Sequence, residues 1–140
     1  MRLTTRSSYG IRALVALVQD QGDTRPVSIR DLAEKELIST VYLEQIFNRL
    51  KKNGVVKSVR GPKGGYMLAR DPEEVTMLDV VKAVEPPDRG EKCLCGEENC
   101  EKGSFCASRK VRDEVFSRTV EVLSGLDLKS LSIGQKNPVA

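Results

Sequence analysis

Four cysteines stand close together in the segment CLCGEENCEKGSFC, and they are the only cysteines in the chain: Cys93, Cys95, Cys100 and Cys106. The chain contains no histidine. Thiols clustered in a segment of Gly, Glu, Asn and Lys can hold a metal, form disulfides or act in redox chemistry. Because no apolar run is long enough to cross a bilayer, and the basic N-terminus lacks the apolar core of a signal peptide, we expect a cytoplasmic protein with no membrane partner. That compartment is reducing and disfavours structural disulfides.

The spacing of the thiols separates the remaining chemistries. Iron–sulfur clusters are commonly held by four cysteine thiolates, which this chain supplies. Zinc sites made of four cysteines usually pair two C-x₂-C knuckles, and this segment has none. A metal-free thiol switch is the third interpretation. A disulfide oxidoreductase is disfavoured, because no C-x-x-C lies beside a βαβ pattern and no histidine is present to act as a base. The residues therefore predict a protein that is not an enzyme, and they leave an iron–sulfur cluster and a metal-free thiol switch open.

The charge of the chain is unevenly distributed. The net charge is +3. Basic residues outnumber acidic ones in the first half of the chain, and the second half reverses that balance. A basic half suggests a polyanionic partner, most commonly nucleic acid, although a solvated basic surface explains the charge equally well.

Three helices are predicted before residue 55. The first is amphipathic and runs from about Thr5 to about Gln21. The second is short and begins with a capping box at Ser28–Asp31. The third begins at Ser39 and stops at Asn53-Gly54. Because only the tight turn ELIS separates the second helix from the third, the pair has the spacing of a helix-turn-helix motif.

A hairpin and further helices are predicted after the third helix. The segments VVKSV and YMLA are strands joined by the turn RGPKGG, which is the position of the wing in a winged-helix domain. A fourth helix ends at Glu85-Pro86. We thus predict a mainly α fold: a winged helix-turn-helix domain over residues 1–85, a cysteine-rich loop over 86–106, and a dimerisation helix with a C-terminal tail over 107–140.

The long helix after the cysteines has an apolar stripe and is otherwise charged. Such a stripe is either a dimer seam or a surface that packs onto the first helix of the same chain. Its members are Val111, Val115, Phe116, Val120, Leu123 and Leu126.

The third helix and the wing have the residue types that read double-stranded DNA. Gln45 can pair with adenine, and Glu44 can accept a hydrogen bond from the amino group of cytosine. Ser39 and Thr40 suit phosphate contacts at the start of the helix. The remaining candidates are Tyr42 and Asn48 on this helix and Arg60 and Lys63 at the wing tip, where Arg60 can enter a narrow minor groove.

The start MRLT, the run STVYLEQIFNRLKKNGVVKSVRGPKGGYML and the cysteine loop together resemble the IscR-like branch of a bacterial winged-helix regulator family that also includes NsrR and CymR. The resemblance runs from Met1 to about Ile133. It implies a homodimeric transcription regulator that binds an operator and receives an iron–sulfur cluster from the assembly machinery. It further implies control of cluster-assembly genes, and Glu44 matches the glutamate that takes part in operator choice in that branch. The alternative is a thiol-redox or cysteine-metabolism regulator of the same fold without a cluster.

The resemblance also bears on the ligands. Cys100 and Cys106 match the second and third family cysteines, whereas the position of the family's histidine ligand is Arg109, which cannot ligate a metal. We therefore expect Cys95, Cys100 and Cys106 to be ligands, with Cys93 completing the set, and a [2Fe–2S] cluster rather than [4Fe–4S].

Overall fold

The computed structural model describes residues 3–20, 23–86 and 105–134. Within these residues the chain forms six helices and one antiparallel hairpin: α1 Thr5–Gln19, α2 Ile29–Glu36, α3 Thr40–Lys52, β1 Val56–Val59, β2 Gly65–Leu68, α4 Met77–Val84, α5 Ala107–Ser124 and α6 Leu128–Gly134. The predicted mainly α fold with a two-stranded wing is confirmed. Across the described ranges no helix is both long and apolar enough to cross a membrane.

Helix α1 lies at the centre of the core. Its residues 13–17 are all buried, and α2, α3, α4 and α6 pack against it. The largest fully buried side chain is Phe47 of α3. The apolar stripe that predicted α3 from the sequence is the face that this helix turns toward the core, and its members are Leu43, Ile46, Phe47 and Leu50.

The helix caps follow the sequence only in part. Ser39 caps α3 as predicted, because its Oγ accepts the Tyr42 N–H at 3.5 Å. Ser28 does precede α2, but its side chain makes no capping hydrogen bond, so the predicted capping box at Ser28–Asp31 is wrong. The capping box of this structure starts α4, where Thr76 and Asp79 exchange backbone-to-side-chain hydrogen bonds of 3.1 and 3.2 Å.

A pairing between residues distant in sequence sets the chain path into α2. Val27 and Tyr66 exchange two backbone hydrogen bonds of 2.8 Å each, so the segment before α2 lies against strand β2 of the wing. This bridge fixes the backbone next to Ser28 without a side-chain cap. The wing is therefore attached to the helix-turn-helix motif along one side.

The last two helices are anchored near the start of α4. Met77 N–H donates to Leu126 O, and Leu128 N–H donates to Val75 O, both at 2.9 Å. Leu123 and Leu128 are buried at this junction. Helix α6 then covers α1, whereas the helix that α5 packs against is α4.

The apolar stripe predicted on α5 divides into two faces. Leu123 is buried in the core formed with helices α1 to α4, and we call the part of the chain around that core the head. Four other predicted members are exposed, and so is Val122, which the sequence pattern did not single out; the four are Val111, Val115, Phe116 and Leu126. Val111, Val115 and Val122 follow at i, i+4 and i+11, which places them on one side of α5 at 3.6 residues per turn, and Leu126 comes two residues after the end of that helix. We call these four residues the outer stripe: Val111, Val115, Val122 and Leu126.

Candidate nucleic-acid interface

Helix α3 presents a polar front to solvent. Gln45 and Asn48 are exposed there, and so is Val41 in the first turn of the helix, at an exposed fraction of 66%. Val41, Gln45, Asn48 and Lys52 follow at helical spacing and share one face. An apolar methyl-bearing side chain at the N-terminal end of such a face suits the methyl group of thymine. The front thus combines two amides with one apolar contact.

One flank of α3 faces the wing and is acidic. Partial burial and then the nearby Glu44 carboxylate raise the pKa of Tyr66, which lies on β2. The Tyr66 ring packs edge-on against Phe47, with 5.0 Å between ring centroids. Tyr66 of the wing therefore contacts α3, close enough to Glu44 for that carboxylate to raise the pKa of Tyr66.

The opposite flank of α3 faces the start of α1 and the end of α4, and it is basic. Arg49 Nη1 donates to Val84 O at 3.5 Å, and Arg6 Nη1 donates to the same carbonyl at 3.3 Å. Tyr42 stands beside them with its ring edge-on to Tyr9, 5.8 Å between centroids. Tyr42 is thus half-buried on this flank, whereas Ser39 is exposed and Thr40 is half-buried at the helix start.

The end of α4 is held on α1 by a carboxylate. Glu85 accepts hydrogen bonds from the Thr4 and Ser7 hydroxyls. Partial burial alone would raise the pKa of Glu85, but these hydrogen bonds and the charge of Arg6 outweigh it and hold that pKa below its ordinary value. Ser7 is fully buried, so its hydroxyl needs this acceptor. We call these contacts the α4 anchor: Thr4 and Ser7 on Glu85, with Arg6 and Arg49 on Val84 O.

A cleft of about 270 Å³ opens between the front of α3 and the α4 anchor. Three of its lining residues are cationic and none is acidic. We call it the cationic cleft, and its lining residues are Arg6, Tyr42, Gln45, Ile46, Asn48, Arg49 and Lys52.

The wing tip is open to solvent. Arg60 and Lys63 are both exposed at the turn between β1 and β2. The turn is closed by a hydrogen bond of 2.9 Å from Gly64 N–H to Gly61 O. The two cations therefore stand at the end of a short, rigid hairpin beside α3.

Of the predicted metal ligands, Cys106 lies within the described residues, and Cys93, Cys95 and Cys100 lie outside them. Cys106 is the N-cap residue of α5 and is half-buried. Its carbonyl accepts the Lys110 N–H at 3.2 Å, whereas its side chain makes no capping hydrogen bond. Over residues 3–20, 23–86 and 105–134, no three cysteine or acidic side chains converge as a metal site would require.

Comparison with known proteins decides the family. The Rrf2 family, described as iron-dependent transcriptional regulators, matches residues 3–133. The chain belongs to the Rrf2 family of transcriptional regulators. Curated relatives include the IscR regulator of Photorhabdus laumondii, which is 38% identical over 138 residues, covering 97% of this chain and 82% of that protein. These relatives are named as transcriptional regulators and not as enzymes.

Solved structures give the same fold. IscR of T. potens aligns with a TM-score of 0.76 at 32% identity, covering 100% of this chain and 93% of that one. CymR, the global cysteine regulator of B. subtilis, aligns with a TM-score of 0.79 at 29% identity, covering 97% and 99%. The Rrf2 winged-helix architecture is therefore common to an IscR and a CymR.

Sequence reasoning missed several residues that surround the recognition helix of this Rrf2 regulator. Arg6 of α1 and Tyr66 of β2 meet α3 only in the folded chain, as does Val84 of α4, which Arg49 of α3 contacts. No local pattern brings Arg6 to Val84, because helical periodicity reports which face is buried and not which distant residue meets it. The exposed Val41 was not among the DNA contacts predicted from the sequence.

Proposed function

We propose that this Rrf2 regulator is a homodimer whose binding to double-stranded operator DNA is controlled by an iron–sulfur cluster held by Cys93, Cys95, Cys100 and Cys106. One observation supports it most: the cysteine segment is bounded by the two helices that matter for such control. On one side, α4 ends at Glu85 in the α4 anchor, which includes Arg49 of the recognition helix. On the other side, Cys106 begins α5, which bears the outer stripe.

The DNA part of the proposal follows from the exposed front. Gln45 and Asn48 reach base edges in the major groove, and Glu44 discriminates against unsuitable bases more than it adds affinity. Ser39, Thr40 and Tyr42 contact the backbone near the start of α3. The wing places Arg60 and Lys63 on the neighbouring minor groove or its phosphates.

Cys106 suits a metal ligand in its local structure. Its side chain makes no capping hydrogen bond, so the sulfur is left for ligation. The first turn of α5 contains no acidic residue and includes Arg109 and Lys110. The positive end of an 18-residue helix therefore lies beside the sulfur, where it favours the negative charge of thiolate ligands. Four thiolates satisfy the ligand requirement of a cluster without the histidine that this chain lacks.

The control works through the chain's own helices. A bound cluster would report iron supply, sulfur supply or oxidants through its occupancy. Cys106 then fixes the start of α5 relative to the end of α4. Because α4 is tied to α3 at Val84, the position of each recognition helix follows, and operator affinity depends on the spacing of the two helices in the dimer.

The target and the cofactor type are also part of the proposal. We expect a [2Fe–2S] cluster, donated in the cytoplasm by the assembly machinery, and control of the genes for cluster assembly. The similarity to CymR supports a second candidate, a regulator of the same fold that responds to thiol redox state or cysteine supply without a cluster.

Anaerobic purification tests the proposal directly. We expect a brown protein with visible absorption that fades in air, and at least a tenfold difference in affinity for a selected duplex between cluster-loaded and cluster-free protein, which corresponds to about 1.4 kcal/mol. Cys106→Ser should lose stable iron and sulfide. Ser108→Ala, an exposed position in the first turn of the same helix, is the matched control and should keep both.

Two results would contradict the proposal. Colourless protein that responds to thiol oxidation would favour the second candidate. Equal affinity of loaded and cluster-free protein for every duplex would remove cluster control.

Glu44→Ala, measured on duplexes selected by each form, should change the preference between them, and an unchanged preference would remove Glu44 from operator choice.

A further inference from the structure

The cationic cleft concentrates positive charge without a matching acid in its wall. Arg49 and Lys52 have no carboxylate within ion-pair distance among the residues that the structure describes. Arg6 is nearest to an acid, because its charge acts on Glu85. Each guanidinium has five N–H donors, and Arg6 and Arg49 each use one on Val84 O. Donors therefore remain for an anionic ligand in the cleft.

The position of the cleft relative to α3 fits the geometry of a DNA backbone. Gln45 and Asn48 belong both to the front of α3 and to the cleft wall. From Gln45 to Lys52 the helix advances about 10 Å at 1.5 Å per residue. The major groove is about 12 Å wide, so a helix centred on base edges at Gln45 reaches the bordering phosphates near Lys52. The opposite flank has Glu44, which repels phosphate.

We infer that the cationic cleft holds one phosphate of the DNA backbone in each half-site, with Arg6, Arg49 and Lys52 as the donors. This inference rests on the proposed reading of DNA by α3. It adds a residue of α1 and two residues at the far end of α3 to the DNA interface. It also places a DNA phosphate next to the α4 anchor. Arg6 and Arg49 then touch both the DNA and the last turn of α4.

The salt dependence of binding tests the inference with Lys52→Gln. Lys52 makes no contact with Val84, so this variant leaves the α4 anchor intact. The duplex is one selected from a random pool by the wild-type protein. Removal of one phosphate contact should lower the slope of log affinity against log salt by about 0.9, and in a dimer the decrease should be about twice that. Lys51→Gln is the matched control, since it removes the same charge from the next residue outside the cleft.

Neutral methylphosphonate groups, placed one at a time along the duplex, locate the phosphate. At one backbone position, the loss of affinity caused by the methylphosphonate should be smaller for Lys52→Gln and for Arg6→Gln than for the wild-type protein. Arg6→Lys should restore part of the salt dependence that Arg6→Gln removes, which a purely structural role for Arg6 would not predict.

Three results would overturn the inference, and they differ in what they imply for the proposed function. If Lys51→Gln and Lys52→Gln change the slope equally, or every methylphosphonate acts additively with the variants, the inference is overturned while DNA binding stands. If inorganic phosphate protects the free wild-type protein against heat through Lys52 and the DNA slopes are unchanged, the cleft is a site for a free anion and the backbone contact is wrong. If wild-type protein binds no selected duplex, the proposed function fails and the inference fails with it.

Discussion

Glu85 is a residue through which pH should affect how the end of α4 is held on α1. Its folded-state pKa is lower than the ordinary value of 4.5. A carboxyl whose pKa is lowered by folding stabilises the protein above its ordinary value, and that contribution is lost as the pH falls through the lower folded-state value. The α4 anchor should therefore weaken in acid.

Glu85→Gln should lower the free energy of unfolding near neutral pH, because the neutral amide loses the charge-assisted hydrogen bonds from Ser7 and Thr4. The difference from the wild type should shrink as the pH is taken below 4.5. Urea unfolding over a pH series measures it. Glu74→Gln, an exposed glutamate near the start of α4, should show no such trend, and a difference that stays constant through acid would show that the Glu85 charge has no part in stability.

At the scale of elements, local patterns predicted α3 and the wing because neighbouring residues alone determine them. The apolar stripe of α3 and the glycine-rich turn after β1 are complete within their own segments. The α2 cap failed as a prediction because Val27 pairs with Tyr66, a contact that no window of sequence contains. The predicted α5 stripe has buried and exposed members, since one period cannot tell Leu123, which is buried, from the exposed Val115.

The wing depends on a glycine at its point of attachment. A Cβ at Gly65 would lie 2.2 Å from Val27 O, a backbone atom that cannot move without breaking the bridge to Tyr66. At Gly61 of the same hairpin, no heavy atom lies within 4 Å of the added Cβ. Both glycines have positive φ, so both substitutions incur backbone strain, and the steric clash is confined to Gly65.

Gly65→Ala should therefore destabilise the protein by about 2 kcal/mol more than Gly61→Ala, the larger cost including displacement of the wing from Val27. Thermal unfolding measures the loss of stability. Duplex binding at fixed salt measures the displacement of the wing, because Arg60 and Lys63 move with the hairpin. Equal unfolding midpoints for the two variants would mean that the wing does not rest on Val27.

At the scale of the whole molecule, the sequence predicted which residues of the recognition helix contact DNA, but not which residues of other elements lie beside that helix. Glu44 and Gln45 were recognisable because residue type and helix position suffice to propose a base contact. Arg6 reaches the same surface only because α1 and α4 pack together at Glu85. The residues beside α3 are set by tertiary structure, and in the proposed function they are the route by which the cysteine segment acts on α3.

The outer stripe offers the last test, since it leaves three apolar side chains of α5, and Leu126 just after that helix, exposed to solvent. Val115 is 60% exposed, so Val115→Asp should leave the fold of the head unchanged. If a second copy covers the stripe, the substitution buries an unpaired carboxylate in the seam and should weaken the dimer by about 3 kcal/mol or more, at least a hundredfold. Affinity for a two-half-site duplex should fall as well, because each head would then bind alone. Sedimentation analysis compares it with Ser117→Asp, which adds the same charge away from the outer stripe and should stay dimeric. A Val115→Asp protein that remains fully dimeric at low concentration would place the seam elsewhere and leave the spacing of the two recognition helices to a different surface.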